Sequence, residues 1–177
     1  MSSFPSLGEI EDTRTALKGW LRQTPCVEYK PGELASDSGL NSSLVFKLEL
    51  FQVTGTFKAR GALAVMLSLS PQERARGVTA VSAGNHAVAV AFAARTLGIS
   101  ARIVMIKTAN PARVQLAKSY GAQLELAEDG PSAFRRAARS KRRKAGSSYT
   151  RSKGRVLCSV RGRWGWSSSS RPGHSMR

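Results

Sequence analysis

The stretch FQVTGTFKARG, residues 51–61, decides how this chain is read, because an apolar strand-like run, SLVFKLEL (residues 43–50), gives way there to the helical spacing of TFKARGALAVMLSLS (residues 56–70). Lys58 falls just after an aromatic, at the carboxyl end of the expected strand. Open α/β sheets gather ligands at that edge. A lysine serving solubility alone could sit anywhere on the helix's wet face. Thr54 or Thr56 is available to cap the helix start.

Downstream, the periodicity keeps alternating between strand and helix. PQERARG (71–77) reads as a polar connection, VTAV (78–81) as a short buried strand, SAGN (82–85) as a turn, and HAVAVAFAARTLG (86–98) as an Ala-rich helix stopped by Gly98. ARIVMI (101–106) is a strand, PARVQLAKSYG (111–121) a helix with proline in its first turn, and AQLELAE (122–128) a further strand. The order βαβαβαβ with right-handed crossovers predicts an α/β fold, a parallel sheet with helices on both faces. Such a sheet carries the TGTFK and SAGNH turns on one edge. Each turn supplies backbone N–H groups at a helix start, which suits a carboxylate or phosphate, and Gly84 lets the backbone come close. The residues by themselves therefore imply an anionic small-molecule site with a lysine beside it.

Composition sets bounds on the rest. A chain of 177 residues is long enough for one domain with a real core. Cys26 and Cys158 make neither a disulfide framework nor a metal quartet, so no metal site is expected. The N-terminus MSSFPSLGEIEDTR has no basic start or apolar run, and no stretch reaches the roughly 20 apolar residues of a membrane span. A cytoplasmic protein is the expectation. Cys26 reads as a small core residue and Trp20 as packing. The net charge of +17 divides unevenly: residues 1–134 hold all eleven acids and fourteen basic side chains, a net +3, whereas residues 135–177 hold fourteen basic side chains and no acid. The first part has the balance of a folded domain. The second reads as a disordered tail.

The two turns together carry a family likeness. KLELFQVTGTFKARGA resembles the K-x-E-x-x-Q-x-T-G-S-F-K-x-R-G-A segment of fold-type II pyridoxal-phosphate enzymes, and SAGNHA resembles their asparagine loop at the expected distance downstream. RQTPCVEY is similar to the early R-T-P segment, and NPARVQLAKSYGAQLELAED to the A-P-x-x-K…Y-G-A-E-V stretch. The likeness spans roughly residues 10–134 and is nearest to the threonine/serine dehydratases. It implies pyridoxal 5'-phosphate as cofactor and Lys58 as the catalytic Schiff-base lysine. It places Phe57 against the cofactor's ring, Asn85 on its phenolic oxygen, and Ser82, Gly84, Asn85 and His86 around the substrate carboxylate. The chemistry needs an amine that is neutral at working pH and can move the substrate's α-proton, and a helix start disfavours a nearby cation. It further implies β-elimination from L-threonine or L-serine to a 2-oxo acid and ammonia, by a homo-oligomer. By the same likeness, residues 1–70 open the large cofactor domain and 75–134 form a smaller βαβ domain.

Two departures bear on substrate. Position 83 is Ala, whereas the family's racemases resemble S-S-G-N-H and use the second serine as acid or base, so elimination is expected over racemization. Val88 stands where many dehydratases have Gln, which leaves serine or threonine open. A larger departure is the tail: no glycine-rich phosphate loop follows. Arg139 to Gly154, back-translated with permitted codons and read from the last base of each into the next, yield IEEEKGRKLVHPFEG, and Val156 to Ser168 permit ALLGTGTVGLEL. Both are similar to the family's next segments. A frameshift near Phe134 is the expectation. The alternative is a nucleic-acid-binding tail, with Trp164 and Trp166 stacking on bases among the phosphate-neutralizing lysines and arginines; non-specific binding follows from the charge alone.

Overall fold

The computed structural model describes residues 5–30 and 44–144, with residues 140–144 as backbone only. Three strands, β3 (Val78–Val81), β4 (Ala101–Ile106) and β5 (Gln123–Ala127), form a parallel sheet in the order β3-β4-β5. The crossovers are α4 (Asn85–Thr96) and α5 (Pro111–Ser119). ARIVMI forms β4 along its whole length because both its faces are covered. Ala101, Ile103 and Met105 point into the cluster made by α2 (Lys58–Leu67), α4 and α5, while Val104 points the other way, onto Ala133 and Ala137 of α6 (Gly130–Lys144). Helices thus lie on both faces of the sheet, as the sequence implies.

SLVFKLEL does not join that sheet. Its strand is β2 (Leu44–Lys47), which pairs antiparallel with β1 (Cys26–Tyr29) in a separate two-stranded sheet, with Val27 opposite Phe46 and Tyr29 opposite Leu44. The expected single run of four parallel strands is therefore corrected to three plus a hairpin-like pair. After Lys47 the chain tightens into two 3-10 turns, Glu49–Phe51 and Val53–Gly55. The polar connection PQERARG is also more regular than expected. Ser70 and Glu73 form a capping box that starts a short helix, α3 (Pro71–Arg76). The N-terminal helix α1 (Leu7–Ala16) uses the same device through Ser6 and Glu9.

Two packing expectations fail. Cys26 is exposed on β1, and Trp20 is exposed in the turn after α1. Cys26 belongs to the small two-stranded sheet, whose strands bury little. At the other end α6 runs past Phe134 to Lys144, with Ala137 buried against the sheet, so ordered structure continues into the first basic residues. Arg135, Arg136 and Arg139 are exposed on that helix. Residues 145–177, with Cys158, Trp164 and Trp166, lie outside the described residues.

Candidate functional site

The TGTFK and SAGNH turns meet although their strands belong to different sheets. The link is helical: α2 packs against α4, and the turn Val53–Gly55 also contacts α4. Small residues make this possible, since Ala59, Ala62, Ala87 and Ala91 are all buried between elements. Lys58 opens α2, with its ammonium 4.5 Å from the centroid of the Phe57 ring, and its backbone N–H donates to Thr56 Oγ1 at 3.3 Å. Thr56 therefore meets the first N–H of the helix, although Phe57, at the N-cap position, makes no side-chain cap bond. Thr54 instead adopts φ 68 and buries a hydroxyl with no hydrogen-bond partner among the described residues.

Across from it, α4 begins at Asn85 after Gly84, with no side-chain cap. Ser82 Oγ accepts from Gly84 N–H at 3.3 Å, and Ser82 N–H donates to Val104 carbonyl at 3.1 Å. Gly84 has an ordinary extended backbone, and a Cβ there would meet nothing within 4 Å, so its role is the space it leaves. His86 is mostly buried. Burial first, and the charge of Lys58 second, push it down to about 4, which keeps the imidazole neutral near pH 7 and places the two residues within electrostatic reach. Val88 is buried, and Ala83 packs against the main core cluster.

One network was missed by sequence reasoning: the K-x-E-x-x-Q residues ahead of the lysine. Gln52, almost wholly buried, accepts from the backbone N–H groups of Arg22 and Val53 at 2.9 Å each and donates to Arg22 carbonyl at 2.9 Å. Glu49 accepts two hydrogen bonds from Arg60 at 2.7 Å and one from Thr24 hydroxyl at 2.6 Å. Lys47 donates to Thr24 carbonyl. Burial raises the Glu49 carboxyl, but the hydrogen bonds from Arg60 and Thr24 and the charges of Arg60 and Lys47 outweigh it and hold the group below its usual value. These side chains fasten the RQTP segment beneath the TGTFK turn. A glutamate and a glutamine set so close to an apolar run in the sequence were the available signal.

The profile of the family described as "Pyridoxal-phosphate dependent enzyme" matches residues 17–159. The chain belongs to this family. Its cofactor is pyridoxal phosphate. A phenylserine dehydratase of Ralstonia pickettii is 52% identical over 133 residues, covering 75% of this chain and 40% of that protein. A catabolic L-threonine dehydratase of Staphylococcus aureus is 41% identical over 121 residues, covering 68% of this chain and 34% of its own length. Among solved structures, maize serine racemase superposes with a TM-score of 0.77 at 27% identity, covering 88% of this chain and 46% of the racemase. This family member thus spans less than half the length of the relatives it matches. Among the described residues no group of three or more His, Cys, Asp or Glu could hold a metal, and no helix is long and apolar enough to cross a membrane.

Proposed function

We propose that this chain is the opening portion of a pyridoxal-phosphate-dependent dehydratase that eliminates water from a 3-hydroxy-2-amino acid, L-threonine or L-serine, to give a 2-oxo acid and ammonia. The observation that carries the reading is the convergence of the two turns, with the charge of Lys58 felt by His86. Three features support a fit to the cofactor. The Thr54 hydroxyl is buried and unpartnered, the space beside Gly84 is open, and the start of α4 has no side-chain cap. A polar, anionic group placed there meets needs that the described residues leave unmet.

In this reading Lys58 holds the cofactor and moves the α-proton, Phe57 flanks the ring, and Asn85 hydrogen-bonds the phenolic oxygen. Ser82, Gly84, Asn85 and His86 surround the substrate carboxylate. Neutral His86 is suited to donating one hydrogen bond without adding a charge that would compete with Lys58. The cofactor, when bound, supplies an electron sink that makes the α-proton removable. Loss of the β-hydroxyl as water, followed by hydrolysis, balances as amino acid to 2-oxo acid plus ammonia. Ala83 offers no hydroxyl on the opposite side, which favours elimination over racemization. The name of the 52%-identical relative adds phenylserine to the substrates worth testing.

The reading includes a cytoplasmic homo-oligomer, a large-domain opening over residues 1–70, a smaller domain over 75–134, and an out-of-frame tail over 135–177. The two separate sheets lie on either side of that division, while α2 packs into the core of the parallel sheet across it. By itself the chain is expected to bind pyridoxal phosphate weakly and to release no 2-oxo acid. Sequencing the coding DNA past codon 134 on an independent template, and translating every frame, tests the tail. A shifted frame that runs through HPFEG into a glycine-rich loop supports the proposal, and one that stops at once refutes the frameshift. The restored protein is then assayed for 2-oxo acid release from L-threonine, L-serine and phenylserine. Lys58→Ala should lower that rate by about 10³-fold or more, and an unchanged rate would reject Lys58 as the catalytic residue.

A further inference from the structure

Lys58 and Arg60 both stand in the first turn of α2, where the helix dipole disfavours positive charge, and that turn holds no acidic residue of its own. The approach to it is weakly held. Phe57 at the N-cap makes no side-chain bond, and Thr54 carries φ 68. Backbone of that kind persists only where its surroundings over-determine it. The packing of α2 on α4 contributes, but much of it is made by alanines such as Ala59, Ala62, Ala87 and Ala91, whose shallow ridges set the rotation about the helix axis only loosely.

Glu49 supplies what is missing. Its carboxylate takes Arg60 as a fork, Nε to Oε2 and Nη2 to Oε1 at 2.7 Å each, and accepts a third bond from the Thr24 hydroxyl at 2.6 Å. The Arg60 and Glu49 side chains are only 18% and 11% exposed, so water competes little for these charged bonds. A fork fixes angle as well as distance, which a single ammonium contact does not. Residues two apart on a helix point to nearly opposite sides. Arg60 therefore grips the start of α2 from the side away from Lys58, and so fixes the rotation of the first turn. We infer that Glu49 is a positioning residue for Lys58, acting through the Arg60 fork, and that it sets where the amine lies against the Phe57 ring. The inference rests on the proposed role of Lys58 in holding the cofactor.

The test labels the lysines of the full chain with isotope-enriched formaldehyde and a hydride donor, and follows the methyl resonances by NMR. Lys58→Arg assigns the signal. The Lys58 amine lies 4.5 Å from the Phe57 ring centroid, so its resonance should stand apart from those of exposed lysines such as Lys118. Glu49→Gln keeps the size but leaves one oxygen, and Arg60→Lys keeps the charge but loses the fork. Each should move the Lys58 signal at least halfway to the exposed position. Ser70→Ala, which removes the remote cap of α3, should destabilise the chain and leave the signal in place. A signal unmoved by Glu49→Gln or Arg60→Lys, or moved as far by Ser70→Ala, would overturn the inference. So would a Lys58 signal already among the exposed lysines. Should Glu49→Gln unfold, Thr24→Val, which removes one donor, should give a smaller shift in the same direction, and no shift would overturn the inference. In a second readout, pyridoxal phosphate is captured by the chain: its aldehyde condenses with an amine with loss of water, and borohydride then delivers hydride to the new C=N bond. Peptide mapping gives the ratio of capture at Lys58 to capture at Lys118. Glu49→Gln should lower that ratio by about tenfold, and an unchanged ratio would overturn the inference. Equal capture at the two lysines in the unaltered chain would count against the cofactor reading, whereas the methyl resonance would still decide whether the fork aims the side chain.

Discussion

Gln52 shows how much one side chain can fasten. Its amide satisfies two backbone N–H groups and one carbonyl, and so ties Arg22 to the turn that leads to Lys58. Gln52→Leu keeps the volume but strands those groups in a buried place. The expected cost is about 3 kcal/mol, read from urea unfolding. A loss below about 1 kcal/mol would mean that water replaces the amide without penalty. His86 supplies a second prediction, in pH. The unfolded imidazole titrates near its ordinary value of about 6.5, and the folded one is lowered to about 4. Between these values the unfolded chain binds a proton that the folded chain excludes. Stability should therefore fall as pH drops from 6.5 toward 4 and level off below, by about 3 kcal/mol at most. His86→Gln should flatten that slope in urea titrations at successive pH values. A slope that survives the substitution would assign it to the acidic groups instead.

At the scale of elements, Gly77 is the position where backbone geometry tolerates no substitute. It ends α3 with φ 79 and ψ −179, a region essentially confined to glycine, and an added Cβ would lie 2.8 Å from the Ser100 carbonyl oxygen. Gly77→Ala should cost about 2 kcal/mol or more, measured by thermal or urea unfolding, because β3 begins at the next residue. A neutral Gly77→Ala would show that the loop can shift freely. Elements closed by such residues were legible in the sequence: α4 ends before Gly98 and α5 before Gly121, both with positive φ. Covered strands were legible too, since ARIVMI is apolar on both sides apart from Arg102 near its start, and its central residues are buried. SLVFKLEL was not. Its apolar character looks the same whether a strand enters the parallel sheet or pairs with β1. What decides is the polar network of Glu49, Gln52 and Arg60, and its partners lie about 30 residues upstream at Arg22 and Thr24. Periodicity carries no record of such distant partners.

For the whole molecule, the charge is split along the chain, and that has a measurable consequence. Single-stranded polynucleotide should bind the full chain at low salt through the residues after Phe134. With fourteen basic side chains available there, affinity should drop by about 10³-fold or more between 50 and 200 mM salt. Binding that holds at 200 mM and is lost on replacing Trp164 and Trp166 would favour a dedicated nucleic-acid role. The candidate site was partly legible at this scale. The motifs named Lys58 and the SAGNH turn, but a common sheet edge was the wrong reason for their meeting. They meet because two alanine-rich helices approach closely, and that closeness follows from side-chain size rather than from strand order.

This difference sets the order in which the parts form. β3, β4 and β5 neighbour one another in the order the chain presents them, so each pairing closes over a single short crossover. Little loop entropy opposes them, and they should collapse first. The turn bearing Lys58 reaches the turn bearing His86 only after α2 settles on α4. A refolding experiment with pulsed amide labelling should therefore protect Ile103 and Val104 before Lys58, and the meeting of the two turns should form after the sheet and be lost before it on mild heating.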